Sequence, residues 1–68
     1  PTVLYNGHLD TVPPGDPERW PQPPLQGVVQ GGELWGRGVV DMKGALAGMA
    51  CGAADAAKAG FRGTLIVT

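Results

Sequence analysis

TVLYNGHLD, residues 2–10, is the stretch on which the reading of the fold turns. Thr2-Val3-Leu4-Tyr5 is rich in β-branched and aromatic side chains and does not alternate apolar with polar residues, the pattern of a strand buried on both faces. The run then ends in Asn6-Gly7 and two reactive side chains, His8 and Asp10. Working outward, Gly63 to Thr68 at the other end reads as a second buried strand of the same kind. Lys43 to Ala59 is rich in alanine and reads as a helix. Leu46, Met49, Ala50 and Ala53 form its apolar stripe at i, i+3, i+4 and i+7. Gly60 stands where a helix is commonly terminated, and Lys58 in the last turn suits the helix dipole. Gly48 and Gly52 each cost about 1 kcal/mol of helix propensity relative to alanine, and close packing of the helix on a sheet is the expected compensation. Strand, connection, helix, strand is a βαβ-like order, so the fold class is α/β with a mostly parallel sheet.

The connection divides into two parts. Six of the seven prolines fall between Pro13 and Pro24, which excludes helix and central strand and implies an extended surface loop. Gly27 to Gly36 reads as a β-hairpin, because Gly31-Gly32 supplies the positive φ angles that a tight hairpin turn demands. No internal repeat or low-complexity tract interrupts this order.

Composition narrows the function classes. A chain of 68 residues is at most one small domain, and such chains seldom gain more than about 3–5 kcal/mol from a single core. Cys51 stands alone, so no internal disulfide forms; a reducing, cytoplasmic compartment is the expectation. Five Lys and Arg oppose six Asp and Glu without clustering, which gives no footprint for nucleic acid. The uncharged run Gly44 to Ala54 is 11 residues long, well short of the roughly 20 needed to cross a membrane. Both ends of the chain run through strand-like sequence, and the expectation is a piece of a longer protein.

Side chains two apart on a strand point the same way. His8 and Asp10 therefore share a face at the carboxyl end of the first strand, where open α/β sheets place their ligands. Imidazole is the commonest side-chain metal ligand, and its second nitrogen normally donates to a carboxylate that fixes the tautomer. On spacing alone, a solvated strand end explains the pair as well as a ligand pair does. Asp41, between the hairpin and the helix, is open to two readings in the same way. It is either an N-cap or a carboxylate that must be paired or metal-bound in its apolar company of Val39, Val40 and Met42. Gly36-Arg37-Gly38 is a GxG, but Asp41 stands where a dinucleotide fingerprint has its third glycine and would repel a phosphate. Arg37 and Lys43 read as structural, satisfying carbonyls or balancing Asp41. Trp35 reads as core, and Trp20 either covers the edge of an active site or packs the proline loop down. Cys51 reads as an inert small residue of the helix.

Taken together, NGHLDTVPPGD at 6–16, Trp20 with its prolines, and GELWGRGVVDMKGALAGM at 32–49 resemble the dinuclear-zinc amidohydrolases. That family includes acetylornithine deacetylase, succinyl-diaminopimelate desuccinylase, the aminoacylases and the bacterial glutamate carboxypeptidases. The resemblance covers essentially the whole chain and implies the amino-terminal part of a three-layer catalytic domain. By it, His8 is a ligand of one metal, Asp41 bridges two metals, and Asp10 is the active-site aspartate that orients His8. It also implies a cis peptide after Asp41, two divalent ions (zinc, with cobalt or manganese as alternatives), and a small acyl-amino-acid or peptide substrate. A second domain would make the whole protein a homodimer. The family's general base belongs to a Glu-Glu pair beyond the strand that residues 63–68 resemble, and neither Glu18 nor Glu33 is placed to substitute. The competing readings are a non-catalytic relative with the same fold and, less compatible with Asp41, a nucleotide-binding βαβ module.

Overall fold

The computed structural model describes residues 1–68. The chain runs from strand β1 (Thr2–Tyr5), through a proline-rich loop holding one 3₁₀ turn (Pro17–Arg19), to a hairpin of β2 (Val28–Gln30) and β3 (Glu33–Trp35). An irregular turn (Val39–Lys43), helix α1 (Gly44–Lys58) and strand β4 (Thr64–Val67) complete it. The elements are those the sequence predicts, and the architecture is α/β.

β1 and β4 pair in parallel, with Val3 opposite Leu65 and Tyr5 opposite Val67. The ladder continues past both strands, Thr68 N–H donating to the Tyr5 carbonyl and Gly7 N–H to the Thr68 carbonyl, each at 2.9 Å. β2 and β3 form a separate antiparallel pair. Gly31 and Gly32 make its turn at φ 61° and 78°, a two-residue turn whose twist matches that of the flanking strands. α1 packs along β4. Its end is tied by two bonds, Gly60 N–H to the Ala57 carbonyl and Phe61 N–H to the Ala56 carbonyl. These are the paired bonds of a Schellman motif, which satisfy carbonyls the helix itself leaves free.

Three expectations about packing are corrected. The strands are not buried on both faces: Val3 and Leu65 are half-buried, while Leu4, Ile66 and Val67 are exposed. One helix covers one side of a two-stranded sheet, and nothing in this chain covers the other. The helical stripe is Leu46, Met49, Ala53 and Ala56, with Ala50 exposed. Gly48 and Gly52 do not face the sheet, since a Cβ at either position would meet nothing within 4 Å. The only buried residues are Pro24 and Gly38, and no large apolar side chain is fully enclosed. A radius of gyration of 15.4 Å exceeds the roughly 11 Å of a compact chain this long. The molecule extends over 49 × 25 × 12 Å.

Candidate functional site

The site lies where the end of β1 meets the turn ahead of α1, and a missing side chain makes the meeting possible. A Cβ on Gly7 would stand 2.5 Å from Leu46 Cδ2 and 3.0 Å from Met42 Cε. With glycine there, the chain leaving β1 passes close over the first turn of the helix and delivers His8 to Asp41. The turn itself is not helical at its centre, Asp41 having φ −127° and ψ 92°. Its Asp41–Met42 peptide is cis, as the family resemblance implies.

The two halves of the site are 33 residues apart in sequence. His8 Nε2 lies 3.1 Å from Asp41 Oδ1. On the other side of the ring, Nδ1 lies 3.0 Å from the Asp10 carbonyl and 3.4 Å from the Asp10 carboxylate. Asp10 therefore meets the imidazole more closely through its backbone oxygen than through its carboxylate. A carbonyl can only accept, so Nδ1 carries the proton. In the neutral ring Nε2 is then a lone pair aimed at a carboxylate oxygen. Two acceptors at that distance repel unless a proton or another cation lies between them. Accordingly the His8 pKa is raised above its ordinary value, first by the Asp10 carbonyl and then by Asp41, with partial desolvation opposing. The Asp41 side chain is 84% exposed, so its oxygens stay open to further partners.

Around this pair is a cleft of about 540 Å³, lined among others by Thr11, Val12, Trp20, Trp35, Arg37 and Val40. Trp35, expected in the core, is half-buried and forms part of this wall. Trp20 donates from Nε1 to the Pro14 carbonyl at 2.9 Å. Its ring lies beneath the Arg37 guanidinium, 4.9 Å from carbon to centroid. Arg37 N–H donates to the Pro24 carbonyl at 2.8 Å, and its buried Nε meets no acceptor. Arg37 thus fastens the proline loop to the turn that leads to Asp41. Lys43 donates from Nζ to the Leu9 carbonyl at 2.9 Å, the carbonyl-satisfying role read from the sequence. Of the two glutamates, Glu33 lines the cleft and Glu18 does not. No three His, Cys, Asp or Glu side chains converge as a ready-made metal cluster. Asp10 touches the nitrogen opposite the one that faces Asp41, so the converging pair is His8 and Asp41. Cys51 is exposed on α1 and not enclosed as a small apolar residue would be. No helix is long and apolar enough to cross a membrane.

The loop contacts of Trp20 and Arg37 were beyond sequence reasoning, because a cation–aromatic pair 17 positions apart across a proline loop has no periodic signature. Lys43 did leave a signal: a cation opens the helix where an acidic or hydroxyl residue is usual.

The α/β chain thus sets an imidazole and a carboxylate face to face beyond the end of a parallel strand. The comparisons with known proteins give the family itself. The chain belongs to Peptidase family M20/M25/M40, whose family model matches residues 4–68. It is 58% identical over 50 residues to a succinyl-diaminopimelate desuccinylase of Methylobacterium sp. (strain 4-46), covering 74% of this chain and 13% of that protein. It is also 53% identical over 49 residues to the desuccinylase of Maricaulis maris (strain MCS10), covering 72% and 13%. With that of Blochmanniella pennsylvanica (strain BPEN) it shares 56% over 48 residues, covering 71% and 12%. The chain spans about 13% of the length of these relatives. No solved structure matches it.

Proposed function

We propose that this chain is the amino-terminal part of the catalytic domain of a longer hydrolase. That enzyme cleaves the amide bond of an N-acyl amino acid or small peptide and uses two divalent metal ions, zinc first, cobalt or manganese as alternatives. The observation that carries the reading is the juxtaposition of His8 Nε2 and Asp41 Oδ1 with Nδ1 already committed to the Asp10 carbonyl. Two acceptors facing each other are what a cation requires. The spacing fits as well: two ligand atoms about 2.0–2.1 Å from a tetrahedral ion lie roughly 3.3 Å apart, against 3.1 Å here.

In this reading His8 would hold one ion, Asp41 would be shared between the two, and Asp10 orients His8. Bound ions would polarise the amide carbonyl and acidify an attacking water. This chain's residues do the preparatory work. The Asp10 carbonyl fixes the tautomer of His8 so that Nε2 stays free of a proton when a cation is present. Asp41 places negative charge between positions that would otherwise repel each other when filled. Val12, Trp20, Trp35 and Val40 give the cleft an apolar wall beside that charge, which suits the acyl part of a substrate. The general base and remaining ligands come from the rest of the longer protein. The names of the relatives make a succinylated amino acid the first substrate to try.

The test is metal analysis and an N-acyl-amino-acid panel on the whole protein, led by N-succinyl compounds, with His8→Ala and Asp41→Ala as controls. Bound divalent metal and loss of at least about 100-fold in kcat/KM in both variants are expected. Full activity in either variant would overturn the assignment.

A further inference from the structure

Lys43 stands where a cation is unfavourable. It is the residue from which α1 departs, and the first turn carries no acidic side chain. Free amide groups there present partial positive charge, so aspartate, asparagine or serine is the usual choice. The Lys43 side chain makes no capping bond to the helix. Its stem passes Gly38 instead, where a Cβ would stand 3.5 Å from Cδ and 3.6 Å from Cε. Its Nζ then donates to the Leu9 carbonyl, 34 residues away, at 2.9 Å. Leu9 lies between His8 and Asp10. Apart from the His8–Asp41 contact itself, this is the one side-chain hydrogen bond that joins residues 6–12 to residues 36–44.

We propose that Lys43 is a positioning residue, a tether that holds the His8-Leu9-Asp10 turn against the segment bearing Asp41 and so sets the separation of the two metal ligands. The inference rests on the reading of His8 and Asp41 as ligands. A neighbouring possibility, that Lys43 only balances the charge of Asp41, makes the opposite prediction. Removing a positive charge two residues from a cation site strengthens cation binding if charge is all that matters. Removing the tether weakens it, because the ligand pair then spends less time at its binding separation.

The experiment measures zinc affinity of the whole metal-free hydrolase by competition with a chromophoric chelator. The variants are Lys43→Met, Lys43→Arg, His8→Ala and Asp41→Ala, with circular dichroism confirming that each folds. Lys43→Met is expected to weaken binding about 10-fold or more, the scale of lost ligand-orienting contacts, while Lys43→Arg stays within about threefold of the parent. Cobalt-loaded Lys43→Met shows an altered ligand-field spectrum, and Lys43→Arg keeps the parental one. Unchanged or tighter zinc binding in Lys43→Met overturns the proposal. If His8→Ala and Asp41→Ala weaken binding and Lys43→Met does not, the tether alone is refuted. If neither ligand variant weakens binding, the metal reading falls and the tether with it. Should Lys43→Met fail to fold, Lys43→Gln takes its place, because its shorter neutral amide cannot span to the Leu9 carbonyl. Parental affinity in folded Lys43→Gln overturns the proposal equally.

Discussion

Substituting Gly7 with alanine tests whether the approach of β1 to α1 is what assembles the site. The added methyl would stand 2.5 Å from Leu46 Cδ2 and 3.0 Å from Met42 Cε, whereas carbon atoms in contact prefer about 3.5–4.0 Å. Roughly 1 Å of displacement must therefore be found. Both obstructing atoms end flexible side chains, so part of it comes from driving Leu46 off its rotamer, at about 0.5–1.5 kcal/mol. The remainder comes from lifting the end of β1, which carries His8 away from Asp41. The total falls in the range of about 1–3 kcal/mol typical of overpacking. In a domain of 150–250 residues each kcal/mol lowers the melting temperature by about 2–4 °C. Leu46→Ala removes the obstructing methyl and, alone, loses half-buried contacts. In the double variant Gly7→Ala/Leu46→Ala the tighter of the two contacts is gone and only Met42 Cε must give way, so the two effects combine to less than their sum, by about 1 kcal/mol. The assay is thermal unfolding of the four variants of the whole protein, metal-free, together with their zinc affinities. Strict additivity in stability, or zinc affinity in Gly7→Ala equal to the parent's, would refute the reasoning.

Four further outcomes are expected. The isolated 68-residue chain offers one histidine facing one carboxylate, so its zinc dissociation constant in a calorimetric titration is expected to be weaker than micromolar; sub-micromolar binding contradicts the two-ligand count. His8 has a raised pKa, held up first by the Asp10 carbonyl and then by Asp41, so the protonated ring's contacts with them stabilise the metal-free protein fully below pH 6.5. That contribution is lost as pH rises through the folded value, while zinc binding, which needs the neutral ring, strengthens over the same interval. Opposite pH trends in the melting of metal-free and zinc-loaded protein are the observation to seek, and parallel trends would count against it. Trp20→Phe removes the bond to the Pro14 carbonyl and costs about 0.5–1.5 kcal/mol, appearing as faster hydrogen exchange across residues 13–26 with β1 unaffected. Gly31→Asn, which writes the preferred Asn-Gly pair into the hairpin turn, stabilises by about 0.4–1 kcal/mol through the unfolded state, read as a higher melting temperature.

Much of this was legible in the sequence where the signal is local. Prolines excluded regular structure from 13 to 24, paired glycines placed the hairpin turn, and Gly60 marked the end of α1. The cis bond after Asp41 was implied by the family resemblance alone, since nothing in Val40-Asp41-Met42 dictates it. What the sequence left open depended on partners. Ala50 and Ala53 are the same residue type on neighbouring helix positions, and only the position of β4 decides which is half-buried. His8 and Asp10 were two apart on one face, but which oxygen of Asp10 takes the ring proton depends on the chain leaving its strand after Tyr5. Trp35 read as core because tryptophan usually is; here it borders a cleft whose far wall comes from a loop no periodicity describes.

The parallel pairing of β1 with β4 has a consequence in time. Thr2 lies opposite Thr64, so the ladder closes a loop of some 60 residues, at an entropic cost of roughly 3–4 kcal/mol beyond the constant term. The hairpin and α1 need only contacts close in sequence and form in microseconds. Within this chain β1 pairs with β4, so that pairing waits until residues 64–67 have been made. The ladder that runs on to Gly7, beside His8, is thus completed by the residues of this chain most distant from it in sequence.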